Sequence, residues 1–579
     1  MKLNYWSKII VIVFSGIYAN CFGQNQKADI DFLSKIKDND KWVDGIMKSL
    51  SPRERIAQLF FIQAYSDRDE SYVDSLMNEV GKDKVGGIIF FQGGPERQAK
   101  LTNKLQKNSK VPLIISMDAE WGMGMRLDSI SNYPYQMTLG AISDNQLIND
   151  MGTAIGEQMN RLGVHINLAP VVDVNNNPDN PVINFRSFGS NKYNVTEKSY
   201  QYMIGLHSKN ILANIKHFPG HGDTNTDSHL DLPVLTHDMK RMDSLELFPF
   251  KNLINKGAGS VMVAHLNVPN LQKNKKNIPS TLSPEIIKDL LKSKLGFKGL
   301  VFTDALNMKG VTKYFAPGDI EVKALLAGND VLLFSEDINL GINKIEEAVK
   351  AGIISQDVID SKCKSVLKLK KWVGLDSMDS INIDGLHDDL NNVKYTHITR
   401  KLFEHAITTL SNKDNAIPMR NLDSLKIASL SVGVDSLTIF QKRLSKHTDM
   451  DHYLIPYNSS LKETDSILNK LKSYDKVILG IHSESVLSTD DYGIADATTR
   501  IVHQVCADNQ TIVVAFLNAY ALKKFDNLEQ AESIVLTYQN HDFLEETSAD
   551  MIFGKSPSLG TLPFDIDSRY KSGIGIIIE

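Results

Sequence analysis

Six titratable side chains crowd into fourteen residues, Lys216-His-Phe-Pro-Gly-His-Gly-Asp-Thr-Asn-Thr-Asp-Ser-His229. Pro219, Gly220 and Gly222 in the same stretch rule out a helix and predict a mobile loop. Metal binding is one chemistry such a set suggests. His217 and His221 have the spacing that puts two imidazoles on one helix face, with Asp223, Asp227 and His229 to complete a site. Pro219-Gly220 breaks that face, and Lys216 would repel a cation. Proton transfer fits better. Asp227 and His229 flank Ser228, so a turn brings carboxylate to imidazole, fixes the ring's tautomer and leaves the other nitrogen as acid or base. The plainest alternative is that these residues only cap and brace a loop. Neither a metal nor a cofactor is expected.

A proton-transfer dyad needs a partner that carries covalent chemistry. Asp304, in the stretch Phe302-Thr-Asp-Ala-Leu-Asn-Met308, is the candidate nucleophile, although a lone Asp at a strand end is often only a helix cap. Arg126, Arg186 and Lys216 can hydrogen-bond hydroxyls and hold Asp304 ionised, and Asp118 can accept from two adjacent hydroxyls. Taken singly, each of these is as readily a structural salt bridge. Together they suit a polyhydroxylated, largely uncharged ligand, a glycoside.

These residues must be placed by a scaffold. Short apolar runs recur around Leu59–Ile62, Gly87–Phe91, Leu113–Met117, Ile166–Val172, Leu212–Ile215, Ser260–Ala264, Leu300–Thr303 and Asp330–Phe334. Helix-like stretches such as 144–162 and 285–295 separate them, and eight such alternations predict an α/β fold, a (β/α)8 TIM barrel. Asp118, Glu120, Asp173, Lys216, His217, His265 and Asp304 each fall just past the end of a run, the face where barrel enzymes build their sites. Ser51-Pro52-Arg53-Glu54 reads as a capping box opening a helix toward Ile62, and 342–372 reads as helical and closes the barrel. Further on, strands are expected at Ile427–Ser431, Val477–Ile481, Thr511–Leu517 and Ser533–Thr537, interleaved with helices. They make an α/β sandwich with a mostly parallel sheet and no comparable titratable cluster, a structural or barrel-capping unit.

At 579 residues the chain exceeds one core. The expected division is a leader over 1–23, a polar lead-in over 24–40, the barrel over 41–375, an acidic linker over 376–396 and the sandwich over 397–579. Lys2 and Lys8 precede or bound the apolar run Ile9–Ala19, too short to span a bilayer comfortably, and Cys21-Phe22-Gly23 before Gln24 reads as a cleavage site. Export to the periplasm or medium follows, with lipid anchoring at Cys21 disfavoured by Asn20 before it. Cleavage removes Lys2 and Lys8 and no acid, taking the formal charge from −5 to −7, and with no basic block nucleic acid is an unsuitable partner. Cys363 and Cys506, far apart, read as small buried apolar residues rather than a disulfide.

The stretch from Lys216 to His229 closely resembles the signature of the β-N-acetylglucosaminidase branch of glycoside hydrolase family 3. The likeness extends to Asp118-Ala-Glu-Trp-Gly through Arg126, to Ala169–Gly189, to the Phe302–Met308 stretch and to Gly560-Thr-Leu-Pro563 near the C-terminus. The resemblance implies a retaining mechanism in which Asp304 attacks the anomeric carbon while His229, paired with Asp227, protonates the departing oxygen and then activates water. It implies that Asp118, Arg126, Arg186, Lys216 and His217 hold a terminal N-acetylglucosamine, with His265 at the rim and Asp173 bracing the loop that presents Arg186. Trp121 stands where the family usually has glycine, and a bulky indole there would narrow the site or offer a stacking face. The expected activity is an exo-acting, retaining β-N-acetylglucosaminidase acting on muropeptides, other cell-wall fragments or chitin-type oligosaccharides. The competing readings are a β-glucosidase or β-xylosidase of the same family, which should lack the Asp-Ser-His loop, and a non-catalytic carbohydrate-binding relative, which needs no nucleophile.

Overall fold

The computed structural model describes residue 35 and residues 38–272, 277–377, 379–483 and 485–579. The expected leader, Cys21 and most of the lead-in lie outside the described residues.

Eight short strands form the first sheet: β1 Phe60–Ala64, β2 Gly87–Phe90, β3 Ile114–Met117, β4 Ile166–Asn167, β5 Leu212–Phe218, β6 Ser260–Val263, β7 Leu300–Thr303 and β8 Leu332–Leu333. They pair in parallel in the order β7-β6-β5-β4-β3-β2-β1-β8. A bridge between Phe302 and Val331, with the Thr303 N–H donating to the Val331 carbonyl at 3.1 Å, returns β7 to the stretch entering β8. Each of the eight apolar runs overlaps one strand. Nearly every strand residue is buried, as a sheet filled inside and covered by helices outside requires.

The capping box at Ser51 forms, with the Ser51 N–H donating to Glu54 Oε2 at 2.8 Å and the Glu54 N–H to Ser51 Oγ at 3.3 Å. The helix it opens covers only Pro52–Ala57 before β1 begins. The stretch 342–372 is likewise broken. One helix runs Ile338–Lys350 and the next Gln356–Trp372, parted at Gly352, whose φ of 73° leaves the helical region, and restarted by the Ser355 cap. Residues 379–396, most of the expected linker, lie fastened along the barrel. Arg161 donates to the carbonyls of Asn382 and Asp384, Asn103 pairs with the backbone of Ile381, and Leu386 and Leu390 are buried.

The second sheet contains β9 Thr408–Asn412, β10 Ile427–Val432, β11 Asp451–Ile455, β12 Lys476–His482, β13 Thr511–Phe516 and β14 Ser533–Leu536. Its order is β11-β10-β12-β13-β14-β9, parallel throughout except for β9. This is an open α/β sandwich whose strand order reverses beside β10. It docks on the barrel through buried polar contacts. The Thr561 N–H donates to the Ala141 carbonyl at 3.0 Å, the Ser190 N–H to the Pro563 carbonyl at 3.1 Å, and Gln539 Oε1 accepts from the Tyr135 N–H and the Thr138 hydroxyl. Gly189, at φ 138°, lies so close to this seam that a Cβ there would stand 2.3 Å from the Pro563 oxygen. The Gly560–Pro563 motif is thus a docking segment. Cys363 and Cys506 are unpaired and buried, and burial pushes both thiols up to about 12.

Candidate active site

A cavity of about 430 Å³ opens where the barrel strands end, and every residue lining it lies between Gln63 and Phe334. Among the described residues the second sheet contributes none of its wall.

The turn after β3 places Asp118 and Glu120. It is pinned from behind by Asn167 of β4, whose amide spans the Ala119 backbone, and by the Tyr202 hydroxyl, which donates to the Ala119 carbonyl at 2.9 Å. β5 delivers Lys216 and His217, and the loop after β4 delivers Arg186. The five charges alternate. Arg126 donates to Asp118 Oδ2 at 2.8 Å, and Lys216 Nζ lies 2.8 Å from both Asp118 Oδ1 and Glu120 Oε1. Arg186 closes the row with two bonds to Glu120, at 2.7 and 3.0 Å. Burial pushes both carboxyls up, but the cations outweigh it: Lys216 and Arg126 hold Asp118 below its ordinary value, and Arg186 and Lys216 hold Glu120 far below its own. Burial lowers Lys216, yet Asp118 and Glu120 leave it raised, so the row stays charged.

His217 is fixed by Asp173, whose Oδ2 meets the ring Nδ1 at 2.7 Å and whose carboxylate also accepts the backbone N–H groups of His217 and His221. The expected bracing of the Arg186 loop is supplied by the Asp173 carbonyl, which accepts from Ser187 Oγ at 2.7 Å. Asp173 therefore does both jobs. His221 is a strut inside its loop, with Nδ1 2.7 Å from Thr224 Oγ1 and Nε2 3.2 Å from Ser228 Oγ; burial and the nearby His217 push its pKa down to about 4. Both ring nitrogens of His221 are thus engaged, and the Arg186 guanidinium, 3.4 Å from His217 Nε2, stands where a shared cation would have to sit. Asp223, His237 and Glu246 form a metal-like grouping, but the Arg241 guanidinium lies 2.9 Å from Glu246 and 3.6 Å from Asp223, which makes it an ion-paired anchor for the loop.

Asp227 and His229 meet as the spacing requires. The His229 N–H donates to Asp227 Oδ1 at 2.8 Å, and the same oxygen lies 2.7 Å from ring Nδ1, which leaves Nε2 directed away from the dyad. The His229 side chain is 64 % exposed and still reaches the cavity wall. Its loop is anchored on both sides. Asn180 holds the His221 carbonyl at 2.9 Å, while Asp231 takes Tyr314 at 3.0 Å and Lys313 at 3.1 Å.

Asp304 follows β7, its N–H bound to the Val263 carbonyl and its Oδ1 accepting only from the Ala305 N–H at 2.8 Å. Burial pushes its carboxyl up; His265, His217, the Ala305 N–H and His229 together overcome that and hold it below the ordinary aspartate value. His265 is not at the rim. It is fully buried, with Nδ1 2.6 Å from Thr281 Oγ1 and Nε2 2.9 Å from the Ala305 carbonyl, so it supports the Asp304 turn from beneath. Trp121 also departs from expectation. Its ring packs against Tyr135 at 4.9 Å and Phe185 at 5.9 Å and takes no part in the cavity wall, where Tyr65, Phe91 and Phe334 supply the aromatic surface.

A closed parallel barrel whose mouth holds a nearly unpartnered carboxylate, an imidazole–carboxylate dyad and a wall of alternating charges, backed by a second parallel sheet, is the architecture of a barrel-type glycoside hydrolase. The profile of the glycosyl hydrolase family 3 N-terminal domain matches residues 51–369, and the chain belongs to that family. It is 29% identical over 469 residues to the beta-hexosaminidase A of Pseudoalteromonas piscicida, covering 75% of this chain and 77% of that one. It is 31% identical over 344 residues to the beta-hexosaminidase LpqI of Mycobacterium tuberculosis, covering 56% of this chain and 84% of that one. Among solved structures, a glycoside hydrolase family 3 beta-N-acetylglucosaminidase from Paenibacillus sp. str. FPU-7 superposes with a TM-score of 0.75 at 29% identity, over 89% of this chain and 99% of that one.

Proposed function

We propose that this family 3 enzyme is an exo-acting, retaining β-N-acetylglucosaminidase in which Asp304 is the nucleophile and His229, oriented by Asp227, is the acid and base. One observation carries the assignment. Of the carboxylates, imidazoles and cations in the cavity wall, Asp118, Glu120, Arg126, Arg186 and Lys216 are tied into one row, His217 into Asp173 and His221 into its own loop, which leaves Asp304 and the Nε2 of His229 for bond making and proton transfer.

In this mechanism an Asp304 oxygen attacks the anomeric carbon as the glycosidic bond breaks, and His229 Nε2–H gives its proton to the departing oxygen. Water then attacks the glycosyl ester, losing a proton to the neutral His229, and Asp304 leaves as carboxylate. The charged row faces the sugar hydroxyls with fixed donors and acceptors, positioning it without reorganisation. The cavity volume suits one terminal sugar, which supports exo action. The name of the Paenibacillus enzyme supports N-acetylglucosamine as that sugar; cell-wall muropeptides and chitin-type oligosaccharides are the sources this reading proposes. The Lys2–Gly23 sequence supports export, and among the described residues no helix is long and apolar enough to cross a membrane. Among the described residues the second sheet adds no acid to this wall, which favours the Asp227–His229 dyad over a β-glucosidase reading.

Steady-state rates on nitrophenyl N-acetylglucosaminide and nitrophenyl glucoside test the substrate. Equal or faster turnover of the glucoside sinks the assignment. Asp304→Ala is expected to lower kcat on the order of 10⁴-fold or more. His229→Ala is expected to cost about 10²–10⁴-fold on an oligosaccharide but less than about tenfold in forming the glycosyl-enzyme from a nitrophenyl substrate, whose leaving group needs no proton. Equal losses on both would remove His229 from the proton-transfer role.

A further inference from the structure

The second sheet has a cavity of its own, about 460 Å³, outside the carboxyl ends of its strands. The stretch after β10 (Gly433–Ile439), the turn after β11 (Pro456–Asn458), the end of β12 (His482 and Ser483) and, beyond β14, Asn540 and Glu545 wall it. β10 lies between β11, which follows it in the chain, and β12, so the cavity sits where the strand order reverses, the position at which open α/β sheets bind ligands.

His482 is the second observation. The residue is 3% exposed and stacks on Phe516 with ring centroids 4.8 Å apart, yet among the described residues neither ring nitrogen has a hydrogen-bond partner. Glu545 Oε1 stops 3.6 Å from Nδ1, its other oxygen being taken by the Phe440 N–H at 2.9 Å. The hydroxyl of Ser431 is buried and unpartnered too. Gly480 makes the room: a Cβ there would stand 3.0 Å from His482 Nε2 and 3.2 Å from Ser431 Oγ. Buried polar groups are nearly always satisfied in native proteins, so an open cavity walled by an imidazole with two unsatisfied nitrogens, and backed by the Ser431 hydroxyl, calls for a polar occupant.

We infer that this cavity is a second carbohydrate-binding site, taking one uncharged sugar ring whose hydroxyls pair with His482 and Glu545. A neutral imidazole offers one donor and one acceptor, and a hydroxyl is the group that can answer either. The walls carry Asp435 and Glu545 and, among the described residues, no Lys or Arg, which argues against phosphate, nucleotides and other anions. Tyr457, 42% exposed at the edge, offers an aromatic face to a sugar ring. None of these residues belongs to the barrel cavity, so the site stands whether or not the activity proposed above holds.

Hydrogen–deuterium exchange on the full chain, followed by mass spectrometry, reads the two cavities separately. N-acetylglucosamine, titrated past saturation of the barrel cavity, is expected to slow exchange in peptides spanning 433–439 and 481–486 as well as in those spanning 216–229. His482→Phe, which keeps an aromatic ring on Phe516 and fills the cavity, is expected to lose the first protection and keep the second, with unchanged hydrolysis. Asn540→Leu, at the exposed rim, should weaken the same protection should the buried substitution fail to fold. Unchanged exchange at 433–439 and 481–486 throughout the titration overturns the inference, as does protection there by inorganic phosphate in place of the sugar.

Discussion

Glu120 shows how much of a site lies in partners that a sequence does not place side by side. It is fully buried between Arg186 and Lys216, and those residues stand 66 and 96 positions further along the chain. Glu120→Gln removes the charge that balances both. Breaking one partner of a buried ionic group typically costs about 3–5 kcal/mol, so a lower melting temperature is expected together with a rise in KM, because Arg186 loses its two-pronged seat. A variant with normal stability and normal KM would show that the row is ornamental. Asp304 yields a prediction in pH. Its pKa is depressed, and in the proposed mechanism only the ionised form attacks, so the acid limb of kcat/KM should fall below the 3.8 of an ordinary aspartate, measured by rapid assay after brief exposure to acid. An acid limb above that value would count against the proposed role of Asp304. Asp118, Arg126, Lys216, the Asp227–His229 dyad and Asp304 were legible because each lies within a short, motif-like stretch next to a strand end. The Asp173–His217 pair and the supports from Asn167 and Tyr202 were not, since their contacts depend on how separate strands line up.

At the scale of elements, the loop after β4 is held from the far side by the second sheet. Asn518 donates to Asn184 Oδ1 at 2.8 Å, the Asn175 amide donates to the Tyr520 hydroxyl at 2.8 Å, and Lys523 pairs with Asp179. Arg186 sits at the end of the turn these contacts fix. Gly189→Ala would push a methyl into the Pro563 backbone at a φ that disfavours L side chains, at a cost of about 1–3 kcal/mol. Both a loss of stability and a several-fold rise in KM are expected, read by thermal melts and steady-state kinetics; a change in stability alone would uncouple the docking seam from Arg186. All eight barrel strands could be read because each is a compact apolar run between helices. In the second sheet β9 and β11 escaped notice. Both are edge strands, and β11, Asp451-His-Tyr-Leu-Ile455, buries only its last residue, so it lacks the apolar run that marks the inner strands.

Across the whole molecule, acid should weaken the fold through its histidines first. His165 Nδ1 accepts the Ile115 N–H of β3, and His207 Nε2 accepts the Ala213 N–H of β5, so both rings must stay neutral. Burial lowers each to about 3, and lowers His482 to about 4. Because these values are depressed in the folded state, their contribution is full above the unfolded value of about 6.5 and is lost progressively as pH falls toward the folded values. Asp118, Asp173 and Asp330, depressed below 3.8, give way only in stronger acid. The melting temperature should therefore drop between about pH 6.5 and 5, by roughly 2–4 °C for each kcal/mol lost. A flat profile over that interval would mean that the rings are solvated. The wall of the barrel cavity, finally, draws no atom from the second sheet among the described residues, yet the sheet's own loops cover Asn175, Asn184 and the Ala141 carbonyl. Anyone trimming this enzyme to a minimal catalyst would thus keep its reactive groups but uncover a patch of amides shaped to meet protein. Redesign of that patch for water, more than any change at the mouth, would decide whether a shortened version stays soluble and keeps Arg186 in place.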